Sequence, residues 1–235
     1  MTIRRFILLV TTFIGFGAAV FVLYVVADRS APLQTVKVME TTLPSNKLSF
    51  PYLAENSSVV LRTVSAYEGP YLEDGTDDEV VNIASLQIYN SGAREIMDLH
   101  IELLWESGCY VFEGNHIPPN STVLLLEKNR ALYCDYDYLV CNVQQECSII
   151  FENDSLIEIS DEGLGTLVVR NLTNDRLLDV NIYYKSWLNP PDIYIGGITY
   201  MVEIDQLLPQ QKVLLTPDHY ACGYNKVVTV TMGGK

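Results

Sequence analysis

The sequence predicts an all-β protein in which two tandem β-sandwich domains follow a single N-terminal transmembrane helix. The first observation is a repeat, because Ser85–Ile101 aligns without a gap with Thr166–Ile182, 81 positions later. The second is that apolar and polar residues alternate within both copies, which is the period of a half-buried strand. The third is Phe6–Ala27, a run of 22 residues without a charge.

The uncharged run Phe6–Ala27 is long enough to cross a bilayer as a helix, which requires about 20 apolar residues. Arg4 and Arg5 precede it, and the positive-inside rule then leaves everything after Asp28 outside the cytoplasm. A cleaved signal peptide is the alternative, but the run exceeds the usual apolar core of about 7–15 residues. We therefore predict an uncleaved anchor over residues 1–27 and a single-pass protein of the cell membrane.

Residues 28–55 follow the anchor and contain three prolines among scattered Ser, Thr and Asn residues, which predicts a linker or stalk. The repeat divides the remainder into a first sandwich over residues 56–153 and a second over residues 154–235. An irregular acidic loop is predicted over Glu68–Glu79 of the first domain.

Short predicted strands separated by turn residues fill both domains, as in other β-sandwiches. In the first domain they are Val59–Val64, Ile83–Tyr89, Ile96–Trp105, Tyr110–Phe112, Thr122–Glu127 and Val143–Phe151. In the second they are Leu156–Ile159, Leu167–Arg170, Leu178–Tyr184, Ile193–Tyr194, Tyr200–Ile204, Lys212–Leu215 and Val227–Met232. Lys185 falls on the polar face of its strand.

A second match, Pro119–Leu125 with Pro209–Leu215, has an offset of 90 instead of 81, so the second copy contains nine extra residues. We place these residues around Asn189–Pro191 and Gly196-Gly197, in a loop that lengthens without touching the core.

A strand that ends in Asn, a polar turn, an alternating strand and Leu-Pro-Gln-Gln follow one another in the second copy. This order resembles the bacterial Ig-like modules of the FxLYD type, although the aromatic-x-Leu-Tyr-Asp signature itself is absent. The matching residues are Leu167–Asn171, Asp179–Tyr184 and Leu207–Gln211. The resemblance implies two extracytoplasmic Ig-like β-sandwiches behind an N-terminal membrane anchor.

Two equivalent asparagines, Asn90 and Asn171, end the first strand of their copies. We predict that each side chain bonds to backbone groups two residues further on and so holds the turn that sets the strand register. Register matters because a slip of one residue would turn the apolar face of the next strand to water.

The charge balance excludes one class of partner. The chain has 15 basic and 29 acidic residues and a formal net charge of −14, so it repels nucleic-acid phosphates. The three histidines, His100, His116 and His219, are interpreted as surface residues, and no nucleophile motif accompanies them.

We therefore predict a non-enzymatic protein without catalytic, cofactor-binding or metal sites. Its expected role at the cell envelope is structural or partner-binding. A ligand- or calcium-sensing accessory subunit of an envelope complex is the alternative.

Four of the five cysteines, Cys109, Cys134, Cys141 and Cys147, fall in the first domain and allow three disulfide pairings. The alternative is that some are small buried hydrophobic residues, and Cys147 is expected to face the core. Zinc is not expected, because no pair has the Cys-x-x-Cys spacing.

The acidic segment Glu73–Glu79 offers hard oxygen ligands and a turn-forming glycine, which suit calcium, but it lacks the spacing of an EF-hand loop. We interpret it as a solvated loop, with calcium binding as the alternative.

Tyrosines crowd the loops around Cys134 and Cys222, and two more flank the start of the acidic loop. They are Tyr133, Tyr136, Tyr138, Tyr220 and Tyr224, with Tyr67 and Tyr71 at the acidic loop. Such loops can bind a protein partner through rigid aromatic area, or they can close the ends of small sandwiches. A protein partner at these loops is the expectation.

Overall fold

The computed structural model of the chain describes residues 47–76, 78–148, 156–163, 165–221 and 223–233. All of them belong to one compact unit, Leu43–Lys235. The predicted anchor and most of the predicted linker lie outside the described residues. Within the described part, no helix is long and apolar enough to span a membrane.

The described residues form strands and no helix, which confirms the all-β prediction. The strands before and within the first repeat are β1 (Tyr52–Leu53), β2 (Val59–Tyr71), β3 (Asp78–Asn90), β4 (Ile96–Trp105), β5 (Gly108–Ile117), β6 (Thr122–Leu126) and β7 (Val140–Cys147). Those of the second are β8 (Ile157–Gly163), β9 (Thr166–Asn171), β10 (Leu177–Leu188), β11 (Ile193–Leu207), β12 (Lys212–Leu215) and β13 (Asn225–Thr231).

Both repeats arrange six strands in the same order. In the first, β2, β3 and β6 are neighbours in one sheet, and β5, β4 and β7 form another. In the second, the corresponding sheets are β8-β9-β12 and β11-β10-β13. Neighbours within a repeat are antiparallel. The sequence repeat is therefore also a repeat of topology.

Each repeat encloses a hydrophobic core between its two sheets. The first core includes the fully buried residues Leu61, Leu86, Ile88, Ile101 and Phe112. The second is smaller and includes Val169, Val180, Ile182 and Leu207. The predicted domain boundary at residue 153 falls in residues 149–155, outside the described part, and stays a prediction.

The two repeats also share one sheet. Strands β6 and β11 pair in parallel, with Tyr194 opposite Val123 and Ile195 opposite Leu124. This pairing joins β1-β2-β3-β6 to β11-β10-β13 in a seven-stranded sheet.

The prediction of an irregular loop over Glu68–Glu79 is wrong, because this segment forms the end of the β2–β3 hairpin. Strand β2 continues to Tyr71, and Pro70 pairs with Glu79 of β3. Gly69 and Pro70 are local loop signals, but tertiary packing overrides them. Tyr71 is buried against Leu126 and two aliphatic residues of β3.

The nine extra residues do contact a core, so the prediction of a loop remote from the core is also wrong. They lengthen the β10–β11 hairpin, in which the two predicted strands Ile193–Tyr194 and Tyr200–Ile204 are one strand. Trp187 and Tyr194 of this extension pack against the core of the first repeat. The pattern of apolar and polar residues in one repeat cannot reveal which of its surfaces is buried against the other repeat.

The asparagines Asn90 and Asn171 are fully buried and make equivalent hydrogen bonds. The amide oxygen of Asn90 accepts from the Gly92 N–H at 3.0 Å, and that of Asn171 accepts from the Thr173 N–H at 2.8 Å. The predicted bond to the backbone two residues further on is therefore confirmed in both repeats.

Both asparagines also bind a second turn, which precedes β6 in the first repeat and β12 in the second. The sequence did not indicate this contact. The Asn171 amide donates to the carbonyls of Asp175 at 2.8 Å, Leu207 at 3.2 Å and Leu208 at 3.0 Å. The Asn90 amide donates to the carbonyls of Arg94, Ile117 and Pro118 at 2.9, 3.2 and 3.1 Å. Each asparagine thus ties three segments of its repeat together.

Candidate functional site

Two lengthened hairpins, β2–β3 of the first repeat and β10–β11 of the second, meet at a junction. Leu72, at the tip of the first hairpin, packs against Ile193 and Ile195 of the second. The adjacent Glu73 carboxylate accepts the N–H of Gly197 at 2.8 and 2.9 Å and the N–H of Leu126 at 2.9 Å. One acidic side chain in the β2–β3 turn therefore links two strands, β6 and β11, that belong to different repeats.

Two glycines let the hairpins approach closely. Gly196 has a φ of +79°, a conformation that favours glycine. A Cβ on Gly197 would overlap the backbone carbonyl oxygen of Glu113 in β5, so only glycine fits between these strands. The junction thus depends on the backbone as well as on side chains.

Lys185 lies at the centre of the junction and is fully buried, although the sequence places it on a polar strand face. Its ammonium group donates to the carbonyls of Gly197 and Ile198, both at 2.7 Å, and of Asn115 at 3.1 Å. The hydroxyl of Thr199 lies at 2.9 Å. These oxygens replace the water that the lysine loses on burial.

Burial shifts the acid–base equilibria of both charged groups at the junction. It lowers the pKa of Lys185 from its usual 10.5 to about 7, and the carboxylates of Glu73 and Glu95 oppose this shift. Burial also raises the pKa of Glu73, against the effect of its hydrogen bonds and of Lys185.

The shift of Lys185 predicts a pH-dependent stability. Because its folded-state pKa lies below that of the unfolded chain, the unfolded chain binds more protons between pH 7 and 10.5. The free energy of unfolding should therefore rise with pH in this range, by about 1 kcal/mol per pH unit relative to Lys185→Met. Urea unfolding of both proteins at pH 7, 8 and 9 tests this, and parallel pH profiles of the two would contradict it.

A hydrogen-bonded pair of side chains, His116 and Glu95, lies close to the lysine. His116 Nδ1 is 2.9 Å from Glu95 Oε1, and both side chains are largely buried, with 13% and 14% exposed. The His116 ring also stacks on Tyr183 of the second repeat, with 4.2 Å between ring centroids. The interpretation of His116 as a surface residue is therefore wrong, whereas His100 is 35% exposed beside Glu113.

An open groove of about 960 Å³ runs beside the junction. The outer face of β5, β4 and β7 contributes Asn115, Asp98 and Glu146, which are neighbours across the sheet. Asp98 and Glu146 lie directly opposite each other, and neither has an ion-pair partner among the described residues. Like charges placed opposite each other destabilise a sheet, so a bound cation would relieve their repulsion. The Asn115 side-chain oxygen is buried and has no hydrogen-bond partner among the described residues.

The groove carries more negative than positive charge. Five carboxylates line it, against two permanent cations, Lys128 and Arg130; the carboxylates are those of Glu73, Asp74, Asp98, Glu113 and Glu146. Both cations are already paired: Lys128 with Glu113 at 2.6 Å and Arg130 with Asp74 at 2.5 Å. The pairing with Lys128 lowers the pKa of Glu113.

The acidic segment Glu73–Glu79, which was interpreted as a solvated loop with calcium binding as the alternative, has carboxylates that bind other groups of the protein. Glu73 faces the junction, while Asp74 and Asp78 both contact Arg130. In the described ranges, no group of three or more His, Cys, Asp or Glu side chains is placed to hold a metal ion.

The tyrosine-rich loops are mainly packed against the repeats. Tyr71, Tyr138 and Tyr220 are buried, and burial raises the pKa of Tyr138. Tyr136 stacks on Trp105 with 4.1 Å between ring centroids. Tyr133 and Tyr136 are half-buried, and Tyr224 is exposed. A protein partner at these loops stays a prediction.

The four cysteines of the first repeat are free thiols. Cys109 and Cys134 are exposed, whereas Cys141 and Cys147 pack against the first core. Burial raises the pKa of Cys141 to about 11, so its thiol is inert at neutral pH. The alternative of small buried hydrophobic residues fits these two, and Cys222 lies outside the described residues.

Comparison of the chain with protein-family models, with curated proteins and with solved structures finds no match. The role of the candidate site is therefore inferred from its own geometry.

Proposed function

We propose that this protein is a non-enzymatic binding protein of the cell envelope. The open groove beside the junction binds a positively charged partner. The observation that carries the proposal is that the Asp98 and Glu146 side chains line the groove, lie opposite each other across the sheet, and have no ion-pair partner among the described residues. A lysine or arginine side chain placed between them would remove their mutual repulsion and gain two charge-assisted hydrogen bonds.

The junction supports this role because it holds the walls of the groove in place. Glu73, Gly197 and Ile198 belong both to the junction and to the groove lining. A wall fixed by buried hydrogen bonds reduces the ordering that a partner must impose on binding.

The proposal also includes two Ig-like sandwiches displayed outside the cell behind the single-pass anchor Phe6–Ala27. The strand order that the two repeats share supports two related sandwiches. The length of the uncharged run and the arginines before it support a membrane anchor with the sandwiches outside the cytoplasm. An extracytoplasmic position would leave the groove open to envelope partners.

A hexalysine peptide tests the groove. The full-length chain in detergent micelles is expected to bind it saturably in calorimetric titrations at low salt. The double variant Asp98→Asn/Glu146→Gln should bind at least about tenfold more weakly, because each lost charge pair contributes on the order of 1 kcal/mol.

The matched control is Glu203→Gln/Asp205→Asn, which removes two exposed carboxylates of β11 that do not line the groove. It should leave the affinity for hexalysine nearly unchanged. Absence of saturable binding, or an equal loss in the control, would reject the groove as a site for cations.

A further inference from the structure

Strands β6 and β12 occupy equivalent places in the two repeats, but only β6 is paired on both sides. Strand β6 lies between β3 and β11, the second strand of the lengthened hairpin. Strand β12 pairs with β9 and, among the described residues, with no other strand. The second repeat therefore retains an open edge at the position where the first repeat binds an extended strand.

The two edges have closely related sequences. Thr122–Leu125 reads Thr-Val-Leu-Leu, and Lys212–Leu215 reads Lys-Val-Leu-Leu. Leu124 of the paired edge packs against Ile193 and Ile195 of the hairpin. Its equivalent Leu214 is 65% exposed, so an apolar side chain that is covered in one repeat faces solvent in the other.

We propose that β12 is a docking edge for an extended apolar strand of a partner protein, which pairs with it in parallel. The chain itself shows the chemistry that fits, because Tyr194 and Ile195 lie opposite Val123 and Leu124 of β6. β-Branched residues on the incoming strand would cover Leu214 as Ile193 and Ile195 of β11 cover Leu124. Main-chain hydrogen bonds along the edge would supply affinity, as in other cases of strand addition.

A second copy of this chain fits the edge less well than a different protein. Its own Tyr194–Ile195 segment is already held between β10 and β6, so it would have to leave that position first. The edge strand is also exposed, because Lys212 and Leu214 of β12 face solvent. This inference does not depend on the cation groove.

The test uses a fluorescein-labelled peptide with the sequence of residues 192–199, Asp-Ile-Tyr-Ile-Gly-Gly-Ile-Thr. Fluorescence anisotropy should show saturable binding to the full-length chain in detergent micelles. Leu214→Lys should weaken this binding at least about tenfold, because it replaces the aliphatic contact that the peptide would bury with a charged side chain.

The matched control is Leu132→Lys, which changes a leucine of similar exposure, 62%, in the first repeat. It should bind the peptide like the wild type. No saturable binding to the wild type, or the same affinity for Leu214→Lys, would overturn the proposal; the second result would mean that the peptide enters the β6 edge or adsorbs to the micelle.

Discussion

Gly197→Ala is expected to lower the free energy of unfolding by about 3 kcal/mol or more, the cost of overpacking combined with lost buried hydrogen bonds. The added Cβ would overlap a backbone oxygen of β5, so that strand and β11 must separate. Separation would stretch the bonds from Gly197 to Glu73 and to Lys185. Urea unfolding of the full chain, followed by circular dichroism, measures the loss.

The control is Gly163→Ala, at a glycine with a φ of +84° and no atom within 4 Å of the added Cβ. It should cost only about 1 kcal/mol, from backbone strain in the left-handed region. If both substitutions cost the same, the close approach of β5 and β11 is not what stabilises the junction.

The parts of the fold that were predicted correctly depend on short-range patterns. Strand β4 agrees with the predicted Ile96–Trp105 at both ends, and β12 agrees with the predicted Lys212–Leu215. In each case a period of two and flanking turn residues are local properties of the chain.

The candidate site was not predicted because its contacts join distant positions. The Glu73–Gly197 hydrogen bond spans 124 residues. Lys185 has the alternation of a solvent-facing residue, but carbonyls of β11 and of β5 in the other repeat enclose its ammonium group. One available signal was the apolar run Ile193–Ile195 followed by two glycines inside the insertion, since a solvated loop has no need for such residues.

For the buried asparagines, the sequence predicts a correct local hydrogen bond but too small a contribution to the free energy of unfolding. One hydrogen bond to the next turn predicts a cost of about 1 kcal/mol on removal of Asn171. Three additional bonds to carbonyls, one of them on the fully buried Leu207, raise that expectation.

Asn171→Ala is therefore expected to lower the free energy of unfolding by about 3 kcal/mol. The Leu207 carbonyl would lose a donor in a buried site, which costs about 1–3 kcal/mol, while the carbonyls of Asp175 and Leu208 regain water in part. Loss of the bond to the Thr173 N–H adds to this cost. Urea unfolding of the full chain, followed by circular dichroism, gives the value.

Asn174→Ala, at an exposed asparagine of the same turn, is the matched control and should change stability by less than about 0.5 kcal/mol. Asn90→Ala should cost as much as Asn171→Ala, because its amide makes the same set of bonds in the first repeat. Should Asn171→Ala prove as mild as Asn174→Ala, the four bonds of Asn171 to the backbone do not stabilise the turn. A recognition role for the repeated asparagine would then have to replace the structural one.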